Sequence, residues 1–438
     1  MSTAVVSQIS SYGSQFDRAA EVGDSGFKAA DLIDLLQTKC PRFEEVRQGS
    51  AVSNLKVTNC GKGNGYLSLV LKIDITFEPE RREFSCVLKI PMPNALSSLV
   101  DDENEFKGKN INDEFEEEDE NAQMIIHSHN LECQFYDRFQ SLGSFPLPDV
   151  YTSRSITSGQ KEKQLGFLLM DDLSNDFEVL GLHRTATVEQ CCNVARAIAN
   201  FQFHVEQQSE NRSMWMSQEQ NLHLSTFYTS WMPAGLSFSM AFQNLRPLIQ
   251  RVQPLFHKGF GRYSIRQKAR QYGALTILHG DIQPFNVFFG KSSESKSGLS
   301  DEVGAIIDFQ MITYGNPAFD LSRFLVCSTD GDIRDIADEE AFRAYYNELE
   351  HLYLTEGETP KFTFEQGLEL FHLALCQQST FITVFLFFID AMIKQSGSER
   401  LQMSSVLQRA EYSLKRTIGY MNKYRLYDFD GDLAMMLP

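Results

Sequence analysis

Leu67, Leu69, Leu71, Ile73, Ile75 and Phe77 alternate mainly with polar residues, the period-two signature of a half-buried strand. A charged turn from Glu78 to Glu83, containing Pro79, separates this run from Phe84-Ser85-Cys86-Val87-Leu88-Lys89-Ile90. That second run puts Phe84, Cys86, Leu88 and Ile90 on one face of a strand and Val87 and Lys89 on the other. The period then changes. Ile125, His129, Glu132, Tyr136 and Phe139 fall on one stripe at helical spacing,. Leu165 to Met170 reads as a short buried strand ending in Asp171-Asp172-Leu173-Ser174. From about 185 to 275 the pattern is helical, with Val194, Ile198, Phe201 and Val205 marking one face. Val287-Phe288-Phe289 and Val303 to Ile307 flank a polar insert, Lys291 to Gly298, and predict a β-hairpin,. The stretch from roughly Asp335 to Lys423 is helical again, with aromatic-rich faces such as Phe385 to Phe388. Residues 1–50 give weak helical patterns, Ala30 to Leu36 the clearest, and read as an N-terminal extension packed on the first lobe. The expectation is an α+β protein, with a small β-rich N-lobe over 51–172 and a larger, mainly helical C-lobe over 173–438.

Bulk composition narrows the class. A chain of 438 residues, 42% hydrophobic and 12% aromatic, can build two lobes with substantial cores,. A net charge of −18 argues against general nucleic-acid binding,. Much of that charge sits in Asp101 to Glu120, an acidic run read as a solvated surface insertion,. Eight cysteines without a C-x-x-C show no zinc or disulfide framework and suit a reducing compartment,. The first residues lack a basic n-region and an apolar h-region, so the expected location is cytoplasmic,. The most apolar run, Phe381 to Ile389, is too short to span a bilayer and is expected to be a buried helix,.

The chemistry concentrates in Leu278-His279-Gly280-Asp281-Ile282-Gln283-Pro284-Phe285-Asn286, followed by Ile306-Ile307-Asp308-Phe309-Gln310. Asp281 and Asn286 have the spacing of a kinase catalytic loop, H-x-D-x-x-x-x-N. Phosphoryl transfer needs a carboxylate to orient the attacking hydroxyl and oxygen ligands to hold Mg²⁺ on the phosphates of ATP. Asp281 suits the first role; Asn286 and Asp308, at the open ends of the hairpin, suit the second. Singly, each residue reads as a turn or a strand end, and their order and spacing carry the case. Lys89 inside an apolar strand needs a partner or an exit to solvent and, taken alone, reads as an edge-strand lysine; Glu132 on an apolar helix face calls for a partner, and Lys89 is the natural candidate,. Gly61, Gly63 and Gly65 cluster at a hairpin tip, where backbone N–H groups can approach phosphates,. Trp215 and Trp231 could wall a quaternary ammonium group but read first as packing residues,. Gly290-Lys291-Ser292 is not a Walker A end, because Phe285 stands where that motif needs glycine,. There is no G-x-S-x-G,.

With Gly63-Asn64-Gly65-Tyr66, Val87-Leu88-Lys89-Ile90, the His129 to Tyr136 block, the His279 to Asn286 loop and Ile307-Asp308-Phe309-Gln310…Gly315-Asn316-Pro317-Ala318-Phe319-Asp320-Leu321, the chain resembles the CHK kinase-like, or ecdysteroid-kinase-like, proteins. These are related to choline kinases and aminoglycoside phosphotransferases. The resemblance implies a bilobal, protein-kinase-like fold that uses ATP and Mg²⁺. It implies Asp281 as catalytic base, Asn286 and Asp308 as metal ligands, and Lys89 with Glu132 as the ATP anchor. Asp171 to Leu173 would form the hinge that meets adenine. Asp320 reads first as a helix N-cap; by resemblance it also braces the catalytic loop. Gly280 stands where protein kinases carry a regulatory arginine, and only a short segment separates Gln310 from Asp320. Both departures favour a small-molecule hydroxyl acceptor over a protein. Choline-like amines, steroids, sugars and aminoglycosides are all compatible, and the pattern says nothing of oligomeric state. The alternative is a catalytically silent, kinase-shaped nucleotide-binding module, supported by the irregular glycine loop and the acidic insertion.

Overall fold

The computed structural model describes residues 6–10, 16–60, 68–92, 120–139, 141–157, 166–208, 227–396 and 401–427. Two compact units are present. One comprises Met1–Gln140, Pro148–Asn175 and Gln395–Ser398; the other Ser141–Leu147, Asp176–Lys394 and Glu399–Pro438.

The first unit is built on strands β1 (Val6–Ser10), β2 (Ala51–Asn59), β3 (Ser68–Glu78), β4 (Arg82–Pro91), β5 (Val150–Arg154) and β6 (Phe167–Asp171). They form one sheet in the order β1-β2-β3-β4-β6-β5. Every pairing in it is antiparallel. The alternation in the sequence becomes the sheet's two faces. Leu69, Leu71, Ile73, Ile75 and Phe77 of β3 are buried with Phe84, Cys86, Leu88 and Ile90 of β4. Helices α1 (Ala29–Lys39) and α2 (Pro41–Arg47) complete that core with Leu32, Ile33, Leu36 and Phe43. Phe43 meets Phe77 and Phe84 edge-on, with centroids 5.4 and 5.2 Å apart. Burying a side chain of this size contributes roughly 1.5–3 kcal/mol, so residues 29–47 are part of the unit's core. The other face carries Val70, Lys72, Val87 and Lys89, paired Val70↔Lys89 and Lys72↔Val87. Helix α3 (Glu120–Arg138) buries Ile125, His129, Glu132 and Tyr136. The acidic run at 101–120 lies outside the described residues except for Glu120.

The second unit is mainly helical. Its longer helices are α4 (Val188–Gln207), α5 (Phe319–Ser328), α6 (Gly331–Thr355), α7 (Phe364–Ser396) and α8 (Leu401–Tyr424). A capping box of Thr187 and Gln190 starts α4,, and Val194, Ile198, Phe201 and Val205 are all buried. Buried Arg409 of α8 donates to Cys327 O at 2.7 Å, so a guanidinium satisfies a carbonyl in the last turn of α5,. The apolar stretch of α7 is longer than the sequence pattern suggests: Phe364–Ala391 is long and apolar enough to cross a bilayer. Yet 72% of its most apolar window is buried within the protein, the condition of a core helix. Short strands complete the unit. β7 (Phe177–Val179), β9 (Val287–Lys291) and β10 (Leu299–Ile306) form one sheet, and β8 (Thr276–Leu278) pairs with β11 (Thr313–Gly315).

Candidate active site

In the first unit Lys89 finds its partner. Lys89 Nζ lies 2.6 Å from Glu132 Oε2, with the two side chains 12% and 2% exposed. Helix α3 is pinned beside them. The Asn130 amide donates to Ile156 O at 2.9 Å and accepts Ile156 N–H at 2.8 Å. His129 Nε2 lies 2.9 Å from Arg154 O. Burial pushes His129 down to about 4, so the ring is neutral and donates this bond,. Trp231, in the second unit, is half-buried and packs edge-on to Phe388.

At the end of β6, the Asp171 carboxylate accepts from Arg42 Nη1 at 2.7 Å and from the Tyr151 hydroxyl at 2.9 Å. Its amide donates to Asp149 O at 2.9 Å. Leu173 opens a 3₁₀ turn, Leu173–Asn175. Between them, Asp172 pairs with Lys72 at 2.8 Å. Burial raises the Asp172 carboxyl, but bonds from Lys72 and Ser174 outweigh it and hold the group below its ordinary range. Gly61, Gly63, Gly65 and Trp215 lie outside the described residues.

In the second unit the hairpin forms as the pattern predicts, with Ile306↔Val287 at its open end. Ile307 N–H continues it to Asn286 O at 3.0 Å, which brings the strand end carrying Asp308 beside Asn286. Asn286 Nδ2 donates to Asp281 O at 2.9 Å and to Asp281 Oδ2 at 3.3 Å. With its NH₂ spent on Asp281, the amide turns its oxygen away, as a ligand for a hard cation requires. Asp308 is left-handed, φ 76° and ψ 62°, a conformation that side chains other than glycine, asparagine and aspartate rarely adopt. Gln310 Nε2 donates to its Oδ2 at 3.1 Å.

The Asp281 carboxylate is held on both oxygens. Oδ2 accepts from Gln283 Nε2 at 3.0 Å as well as from Asn286, and Oδ1 accepts from Arg323 Nη1 at 3.1 Å. A carboxylate oxygen has two lone pairs, so among the described residues Oδ2 is filled and Oδ1 keeps one. Burial pushes Asp281 up to about 6; Arg323 opposes this and the Asp308 charge adds to it.

Three supporting residues have no role assigned by the sequence pattern, or a different one. His279 is fully buried. Its Nδ1 accepts Asp281 N–H at 3.2 Å, which fixes the proton on Nε2, 3.0 Å from Ile307 O,. Asp320 is no N-cap: Ala318 holds that position, and Asp320 sits inside the first turn of α5. Its carboxylate accepts the amides of His279 and Gly280 at 2.8 and 2.9 Å instead, bracing the loop. Arg323, one turn further along α5, is 7% exposed and reaches Asp281. The signal for it is present in the sequence: an arginine between Leu321 and Phe324-Leu325 is as anomalous as Lys89 in its strand,.

One unit thus holds a buried lysine–glutamate pair, and the other a carboxylate, amide and carboxylate series. Among curated relatives, the "Uncharacterized kinase-like protein D1044.1" of Caenorhabditis elegans is 22% identical over 393 residues, covering 87% of this chain and 96% of that protein. The "Uncharacterized oxidoreductase dhs-27" of the same organism is 20% identical over 422 residues, 91% of this chain but 47% of that protein. The crystal structure of the spectinomycin phosphotransferase APH(9)-Ia with ADP and spectinomycin aligns over 90% of this chain and 99% of that one, at 11% identity and a TM-score of 0.41. That likeness is too coarse to carry chemistry from one chain to the other. A family model matches residues 49–418, and the chain belongs to the family it describes, "Uncharacterized oxidoreductase dhs-27".

Proposed function

We propose that this chain is an ATP- and Mg²⁺-dependent phosphotransferase acting on a hydroxyl group of a small molecule. The observation that carries the reading is the Asp281 carboxylate, anchored on Oδ2 by neutral amides and keeping one lone pair on Oδ1. That lone pair suits an acceptor hydroxyl. The hydroxyl oxygen bonds to the γ-phosphorus while the bond to the bridging oxygen breaks, its electron pair leaving on ADP. The hydroxyl proton passes to Asp281 Oδ1 and then to solvent. With a pKa near 6 the carboxylate is mostly ionised at pH 7,. Asn286 and Asp308 have the chemistry to hold Mg²⁺, which when bound neutralises charge on the phosphates. In the first unit, Lys89 held by Glu132 is the cation for the nucleotide phosphates,. Asp171 to Leu173 remain the proposed adenine contact, through their backbone.

The small-molecule acceptor is supported by the segment between Gln310 and Asp320. It is taken up by a 3₁₀ turn and by β11, paired with β8, and offers no long loop to dock a peptide. The word oxidoreductase in the family's description comes with a protein of which this chain spans 47%. A doubly wound dinucleotide site needs parallel βαβ units. Among the described residues every strand pairing is antiparallel.

The test is transfer of labelled γ-phosphate from Mg-ATP into a small-metabolite extract by wild type and by Asp281→Asn. Product made only by wild type supports the reading, and its mass names the acceptor. Mg-ATP binding without product moves the weight to a nucleotide-binding module.

A further inference from the structure

We infer that Arg323 is a positioning residue for phosphoryl transfer, holding Asp281 Oδ1, the oxygen that keeps a lone pair for the acceptor hydroxyl. This rests on the phosphotransferase reading above and adds a residue to it.

The catalytic loop contains no cation of its own: from His279 to Asn286 there is neither lysine nor arginine. Its contributions to the Asp281 carboxylate are the neutral amides of Gln283 and Asn286, both on Oδ2. The charged contact comes from outside, from α5, and falls on the other oxygen. Arg323 Nη1 is 3.1 Å from Oδ1, and the two side chains are 8% and 15% exposed.

Helix α7 fixes the guanidinium independently of the loop. Arg323 Nε donates to Gln378 Oε1 at 2.5 Å, and Gln378 is fully buried. The guanidinium carbon lies 3.4 Å from the centroid of the Phe381 ring and 5.4 Å from that of Phe319. A planar cation pinned at one nitrogen and stacked on an aromatic face has little freedom left. Its position is therefore preset when an acceptor arrives. A guanidinium also keeps its protons at every working pH, so it never competes for the acceptor's proton. It fixes the direction of the Oδ1 lone pair and leaves the proton transfer to Asp281. Small displacements of a reacting group cost about 100-fold in rate, which is the scale expected when this support is removed.

A purely structural Arg323 would glue α5 to α7 and do nothing else, and kinetics separates the two roles. Initial rates of labelled product are measured with the small-metabolite extract at varied Mg-ATP, alongside thermal unfolding. For Arg323→Met the expected result is a fall of about 100-fold in kcat with KM for Mg-ATP within about twofold of wild type. Arg323→Lys restores part of the rate, because an ammonium keeps the charge but cannot span Gln378 and Asp281 together. If Arg323→Met does not fold, Gln378→Leu leaves the guanidinium in place but unpinned, and about a tenfold fall in kcat is expected with KM unchanged. A folded Arg323→Met, or failing that a Gln378→Leu, with kcat within twofold of wild type overturns the inference. So does a loss of kcat that only parallels loss of thermal stability and Mg-ATP binding. Wild type that binds Mg-ATP but makes no product overturns the phosphotransferase reading instead, and this inference falls with it.

Discussion

Lys89 Nζ stands 2.6 Å from Glu132 Oε2, and the glutamate side chain is 2% exposed. A pair this deeply buried has surrendered most of its hydration, so removing one partner takes away the charge 2.6 Å from the other, at a cost of up to about 3–5 kcal/mol,. Lys89→Met and Glu132→Leu should each lower stability by up to that much. The double variant should lose less than the sum, because it removes both charges of the pair. A double-mutant cycle by denaturant unfolding measures this; additive losses would mean that the two side chains do not interact.

Gly280 is fixed by geometry rather than by chemistry. Its φ is +87°, and a Cβ built there would stand 2.2 Å from the Met311 carbonyl oxygen. Gly280→Ala must either move the turn after Asp308 or break the two bonds Asp320 makes to the loop. The conformational penalty alone is about 1–2 kcal/mol. A lower unfolding midpoint and a large loss of phosphoryl transfer are expected. Wild-type stability in this variant would show that the loop does not hold this conformation. Any side chain at this position, arginine included, would meet the Met311 carbonyl in this conformation.

Parts of this were legible in the sequence because they depend on local period. The β3–β4 alternation, the α3 stripe with Glu132 inside it and the hairpin between Asn286 and Asp308 all follow from spacing, and the anomalous Lys89 and Glu132 announced each other. For Asp320 the local reading as an N-cap failed, because an aspartate beside a helix start has a local use, whereas the loop brace expected by resemblance is what its carboxylate makes with His279 and Gly280. Arg323 stayed without a role because its partners, Asp281, Gln378 and Phe381, lie 42 to 58 positions away in the chain. Helix α7 was taken as a short apolar run because polar residues such as Gln377, Gln378 and Ser379 interrupt the pattern; they are buried. No local period reports such long-range contacts.

Asp308 offers a variant that separates charge from backbone. Asparagine tolerates the left-handed conformation at φ 76° better than alanine does,. Asp308→Asn should therefore keep the wild-type unfolding midpoint, whereas Asp308→Ala should lose about 1 kcal/mol through conformational strain. Both should lose Mg²⁺-dependent nucleotide binding, read by titration calorimetry with and without the metal. Unchanged binding in either variant would remove Asp308 from the metal site.

Asp281 makes a prediction in pH. Its pKa is pushed up from 3.8 to about 6, mainly by burial, with Arg323 pulling the other way. A carboxyl whose folded pKa is raised binds more protons folded than unfolded, so its contribution to stability is fully present below about pH 3.8. That contribution is lost as pH rises through about 6. At about 1.4 kcal/mol per pKa unit the swing is at most roughly 3 kcal/mol. Asp281→Asn lacks this titration, and it also lessens the upward shift of the nearby Asp320 carboxyl, which comes mainly from burial with the Asp281 charge adding to it. Both effects have the same sign. At any single pH the variant carries the extra cost of an unpaired Arg323, so the informative quantity is the slope. Wild type minus variant stability should be larger at pH 4.5 than at pH 7, measured by denaturant unfolding across that range. A difference that grows with rising pH instead would mean that Arg323 outweighs burial and that folded Asp281 titrates below its ordinary range.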